Sequence, residues 1–138
     1  MKNTIIPYGK QNITREDVDA VIEALKSDFL TQGPRIKKFE DEFAEYVGSK
    51  YAVAVSSGTA ALHLCTLALG VKSGDKVITT PITFAATANC IRYCGGEVVF
   101  VDIDPETLNI DPLAIKNAIS KKTKALMIVP VYGNPCDM

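Results

Sequence analysis

The stretch Ala54-Val55-Ser56-Ser57-Gly58-Thr59-Ala60-Ala61-Leu62-His63 takes an apolar, β-compatible run through small polar residues straight into a helical segment. Such a turn opens a βαβ unit. The pattern repeats downstream, with short β-branched runs that predict strands over residues 51–55, 76–80, 97–101 and 125–129. Helices are predicted between them over 59–69, 84–94 and 112–120, the last with Asp111 as its N-cap and Pro112 at its first position. Near-continuous apolar strands belong to a mainly parallel sheet covered on both faces, so the class is α/β with four parallel strands expected.

Upstream, Thr14 precedes Arg15, Glu16 and Asp17 and then an apolar rhythm at Val18, Val21, Ile22 and Leu25, which predicts an N-capped amphipathic helix. The loop Phe29-Leu30-Thr31-Gln32-Gly33-Pro34 follows. A second helix carries Ile36, Phe39, Phe43 and Tyr46/Val47 on one face and stops at Gly48. Residues 1–50 therefore read as an arm with two helices, and 51–138 as the first, incomplete part of an α/β domain.

The chain has 138 residues, 47% of them apolar and 22% charged, which excludes a disordered or fibrous protein. Fifteen basic against sixteen acidic residues leave a net charge of -1, too little to draw nucleic acid or an anionic membrane. The longest apolar run, residues 125–132, is far below the roughly 20 needed for a membrane span, and a cytoplasmic location is expected. Cys65, Cys90, Cys94 and Cys136 have no disulfide-framework spacing and suit a reducing compartment.

Chemistry concentrates at the strand ends. At Ser56-Ser57-Gly58-Thr59, helix-start N–H groups, the helix dipole and two hydroxyls can converge on one phosphate, although a capped turn with no ligand uses the same residues. Neither G-x-G-x-x-G nor a Walker-type P-loop occurs. Phe84, after Thr80-Pro81-Ile82-Thr83, reads either as core or as a platform for a flat ring; beside a phosphate cradle it favours a planar phosphorylated cofactor. The loop after the last strand, which runs into Tyr132-Gly133-Asn134-Pro135-Cys136-Asp137-Met138, would be part of the same site.

Other candidates are weaker. Cys90 and Cys94, or His63 with Cys65, lack zinc-site spacing, so no metal is expected. Asp102 and Asp104 flank a strand end and could reach a substrate, but Asp104-Pro105-Glu106 reads first as a turn, and Lys121-Lys122-Thr123-Lys124 as a solvated corner.

Taken with Leu30-Thr31-Gln32-Gly33-Pro34, the run from Thr80 to Asn89 and that from Val101 to Asp111, the Ser-Ser-Gly-Thr-Ala-Ala-Leu-His motif resembles the sugar-nucleotide aminotransferases of the DegT/DnrJ/StrS type. The likeness covers nearly the whole chain in family order. It implies a fold-type-I enzyme dependent on pyridoxal 5'-phosphate (PLP), with this chain as its amino-terminal portion. Gly58, Thr59 and Ala60 would contact the cofactor phosphate, and Phe84 would stack on its pyridine ring. Tyr8, Asp28, Phe29, Leu30 and Thr31 would face the nucleotide sugar.

The resemblance also implies a homodimer that takes an amino group from a donor such as glutamate and passes it to a nucleotide-linked 4-keto-6-deoxy sugar. Pro7-Tyr8, the Thr-Gln-Gly loop and the Thr-Thr-Pro-Ile-Thr-Phe run suggest the branch that aminates C4 of a UDP-linked N-acetylhexosamine toward pseudaminic acid, yielding a 4-amino-4,6-dideoxy-N-acetyl-altrosamine. The family's cofactor-linking lysine and ring-nitrogen aspartate would lie beyond Met138, so the 138 residues alone are expected to be inactive. A PLP-dependent sugar dehydratase, with that lysine replaced, and a non-catalytic truncated remnant stand as alternatives.

Overall fold

In the computed structural model, which describes residues 9–138, the first helix begins where Thr14 satisfies an otherwise unpaired amide. Its hydroxyl accepts from the Asp17 N–H at 3.3 Å while the Asp17 carboxylate accepts from the Thr14 N–H at 2.8 Å, a reciprocal capping box for α1 (Arg15–Lys26). Helix α2 (Pro34–Val47) starts with proline at a position that needs no N–H donor and ends at Gly48. These helices lie in one compact unit that ends at Ala54, and a second unit spans Val55–Met138.

Three strands build the second unit's sheet: β1 (Lys76–Thr79), β2 (Glu97–Phe100) and β3 (Thr123–Met127), all parallel, in the order β2-β1-β3. Parallel neighbours require crossovers. Helix α3 (Gly58–Ala68) precedes β1, α4 (Ala86–Tyr93) joins β1 to β2, and α5 (Pro112–Ala118) joins β2 to β3. Because side chains alternate along β1, Val77 faces a core with Val71, Cys90 and Ile91, while Ile78 faces the opposite one with Val101 and Ile110. Leu62 and Cys94 join the first cluster and Ala114, Ile115 and Ala118 the second, so α3 and α4 cover one face and α5 the other.

The predicted strand over residues 51–55 is not one. Those residues are outside every strand of the described chain, leaving three strands where four were expected, because an extended run becomes a strand only with a partner. The Ala54 N–H instead donates to the Glu40 carboxylate at 2.9 Å. β3 begins two residues earlier than predicted. There Lys76 pairs with Thr123 and Val77 with Ala125, so Lys124 is the extra residue of an irregularity that draws part of the lysine-rich corner into the sheet. Helix α4 starts at Ala86 instead of residue 84, which leaves Phe84 in the preceding loop.

The close packing behind β2 rests on Gly96. A Cβ there would lie 2.7 Å from Val71 Cγ1 and 3.0 Å from Ile91 Cγ2, both in the buried cluster. Gly96→Ala should therefore destabilise folding by about 1–3 kcal/mol in urea unfolding. A loss below ~0.5 kcal/mol, the scale of a surface change, would show that this core can yield.

Candidate functional site

Strand β1 leads into a loop held by threonine hydroxyls. Fully buried Thr80 accepts from the Ile82 N–H at 3.3 Å, and the Thr83 and Thr87 hydroxyls are 2.7 Å apart. With its polar groups satisfied locally, the loop presents Phe84 with 78% of its surface exposed. An aromatic ring left in water is available to stack.

At the start of α3, Ser57 is extended and its hydroxyl accepts from the Ala60 N–H at 3.2 Å, while its carbonyl accepts from Ala61 at 3.0 Å. The amides of Gly58 and Thr59 have no acceptor among the described residues, and neither does the Thr59 hydroxyl. These are the helix-start donors that an anion satisfies. A Cβ on Gly58 would meet nothing within 4 Å, so the backbone is open to a ligand on that side.

Both features line one cleft of about 570 Å³, bounded by Gly58, Thr59, Ala61, Leu62, Cys65, Phe84 and Ala86. Three of the four cofactor residues expected from sequence thus meet there. Ala60 does not line it, and its N–H is already committed to Ser57. Ala61, Leu62 and Cys65 were not anticipated, although the spacing 58, 61, 62, 65 marks one face of a helix and could have found them. Unpaired amides, a free hydroxyl, open space at Gly58 and an exposed ring fit a flat molecule that carries a phosphate. Among the described residues, no lysine or carboxylate lines the cleft.

In the amino-terminal unit, Asp28, Phe29, Leu30 and Thr31 form an exposed loop after α1, closed where a Cβ on Gly33 would come 2.6 Å from Phe29 Cβ. Gln32 has a positive φ of 52° there. Tyr8 lies outside the described residues. His63 packs edge-on against Tyr93 at 5.4 Å between ring centroids, and among the described residues no three His, Cys, Asp or Glu side chains gather as a metal site. No helix of the described chain is long and apolar enough to cross a membrane.

A profile of the DegT/DnrJ/EryC1/StrS aminotransferase family matches residues 11–138. The chain belongs to this family. Among its relatives, the spore coat polysaccharide biosynthesis protein SpsC of Bacillus subtilis is 47% identical over 99% of this chain and 35% of its own length. The pyridoxamine phosphate (PMP) form of the sugar aminotransferase Spr1654 from Streptococcus pneumoniae superposes with a TM-score of 0.90 at 34% identity, over 96% of this chain and 33% of that one. A GDP-4-keto-6-deoxymannose-3-dehydratase with a trapped PLP-glutamate adduct gives 0.88 at 37%, over 94% and 35%. The chain spans about a third of the length of the relatives it matches.

One candidate resolves as structure within the family segment. The Asp104 carboxylate accepts from the Thr107 and Glu106 N–H groups at 2.8 and 2.9 Å, closing the expected turn. Those bonds, Thr107 first and Glu106 second, hold its pKa below the ordinary aspartate value. A lowered folded-state pKa contributes stability above the unfolded-state value near ~3.9 and loses it as pH falls through the folded value. Carboxyl ¹³C titration should place the Asp104 midpoint below that of an unstructured aspartate; a midpoint at or above it would contradict the turn assignment.

Proposed function

We propose that this chain is the amino-terminal portion of a PLP-dependent sugar-nucleotide aminotransferase, with residues 51–138 forming the first part of its cofactor-binding large domain and residues 1–50 an arm and two helices before it. The observation that carries the reading is the cleft that joins two unpaired helix-start amides to an exposed aromatic ring. The Gly58 and Thr59 N–H groups and the Thr59 hydroxyl would take the cofactor phosphate, with the lesser part left to Ala60, and Phe84 would lie against the ring. When bound, the cofactor supplies the electron sink that lets bonds to the amino-bearing carbon break. This segment's task is to hold and orient that group; the lysine that would move protons and the aspartate that would keep the ring nitrogen protonated are proposed to belong to the rest of the protein, and the 138 residues alone are read as inactive.

For the whole protein, the amino donor proposed is glutamate and the acceptor a nucleotide-linked 4-keto-6-deoxy sugar, with Tyr8, Asp28, Phe29, Leu30 and Thr31 proposed as its contacts. Two relatives support the class: a polysaccharide biosynthesis protein and an enzyme whose substrate is a GDP-linked 4-keto-6-deoxy sugar. Within it we propose the C4 amination of a UDP-linked N-acetylhexosamine toward pseudaminic acid, by a cytoplasmic homodimer. The likeness to a dehydratase keeps sugar dehydration as a second reading, since both reactions need the same cradle.

The cradle is separable from the cap. In the gene product that carries these residues, Thr59→Ala removes a hydroxyl with no partner among the described residues, so the thermal midpoint should stay unchanged. Loss of a charge-assisted hydrogen bond of roughly 1.5–3 kcal/mol should speed PMP release by about one to two decades. Ser57→Ala, by contrast, removes the bond to Ala60 and should lower stability by about 1 kcal/mol. Equal PMP retention by Thr59→Ala and the unaltered protein would return the Ser-Ser-Gly-Thr turn to a helix cap.

A further inference from the structure

We propose that Tyr132 is a second ring-contacting residue of this site and that Asn109 is the positioning residue that holds it in place, an inference that rests on the cofactor reading above. The placement follows from sheet register. Thr79 and Met127 are paired at the carboxyl ends of neighbouring strands, locked by the Thr79 hydroxyl donating to the Met127 carbonyl at 2.8 Å. Phe84 follows Thr79 by five residues, and Tyr132 follows Met127 by five. Each of these two strand ends is therefore followed by a loop that carries one exposed aromatic residue, 78% exposed at Phe84 and 88% at Tyr132. Tyr132 is outside the lining of the 570 Å³ cleft and occupies the next loop along the sheet.

The strand order adds to this. From β1 the chain crosses to β2 through α4 on one face, then returns past β1 to β3 through α5 on the other, so the order reverses at β1. Ligands of open α/β sheets bind outside the carboxyl ends at such a reversal. The loops after β1 and β3 both emerge there.

Tyr132 is held in a conformation it would not choose. Its φ is 53° and ψ 26°, the left-handed region that glycine enters freely and a tyrosine enters at a cost. Such strain persists only where neighbours over-determine it. Asn109 does so from both sides: buried, it accepts from the Val131 N–H at 3.1 Å and donates to the carbonyls of Asn134 and Pro135 at 3.2 and 3.3 Å. The Asn134 side chain returns a bond to the Thr107 carbonyl at 3.2 Å.

The test exploits opposite signs. In the gene product carrying this segment, Tyr132→Gly should leave the thermal midpoint unchanged or raised, while the dissociation constant for PMP rises roughly three- to tenfold, the scale of one aromatic contact. Tyr132→Phe should stay within about twofold of the unaltered protein on the same scale. Asn109→Ala should weaken PMP binding similarly and speed hydrogen exchange at the Val131 N–H. Should Asn109→Ala fail to fold, Tyr132→Gly decides alone. Unaltered protein that binds no PMP overturns the cofactor reading and this inference together. Binding that Tyr132→Gly leaves unchanged overturns this inference alone, as does a loss seen only with UDP as the probe.

Discussion

The structure of the second unit depends on β1 being paired on both sides and packed on both faces. Val77, Ile78, Thr79 and Thr80 are at most 1% exposed, and every other described element of that unit is arranged by what this strand requires. Its two parallel neighbours force crossovers, its alternating side chains place α4 and α5 on opposite faces, and the loops after β1 and β3 leave at one end. Each leucine-sized side chain sealed in such a core contributes about 1.5–3 kcal/mol. The site inherits its rigidity from that burial, since Thr79 and Thr80 use their hydroxyls at the very point where the chain leaves the sheet.

The start of α3 shows how a structural device becomes a binding device. A helix leaves its first amides unpaired, and Ser57 satisfies only one of them, at Ala60. Capping and anion binding are therefore complementary here: the cap sets the direction of the helix, and the amides it leaves over, at Gly58 and Thr59, provide the recognition. Opposite them, Phe84 is exposed because the threonines around it meet each other's needs and leave the ring without a packing role.

Much of this was legible in the sequence where local chemistry decides. The caps at Thr14 and Asp111, the stop at Gly48 and the helix after Ser57 follow from residue types at fixed offsets, and the structure has all four. Reading failed where a distant partner decides. Residues 51–55 have strand composition but no strand to pair with among the described residues, and β3 begins inside the lysine-rich corner because Thr123 pairs with Lys76 of β1, while Lys124 stays exposed as the unpaired extra residue. The cleft-lining face of α3 was present in the spacing from Gly58 to Cys65. Nothing local could have singled out the Asn109 side chain, whose partners lie more than twenty residues away.

The central claim is that the amides left over by the helix cap receive a phosphate, and amide NMR tests it most directly. On titration with PMP, the Gly58 and Thr59 N–H resonances should shift downfield together and saturate together, with Ala60, already bonded to Ser57, moving less. Shifts confined to other residues, or Ala60 moving more than either neighbour, would contradict the account.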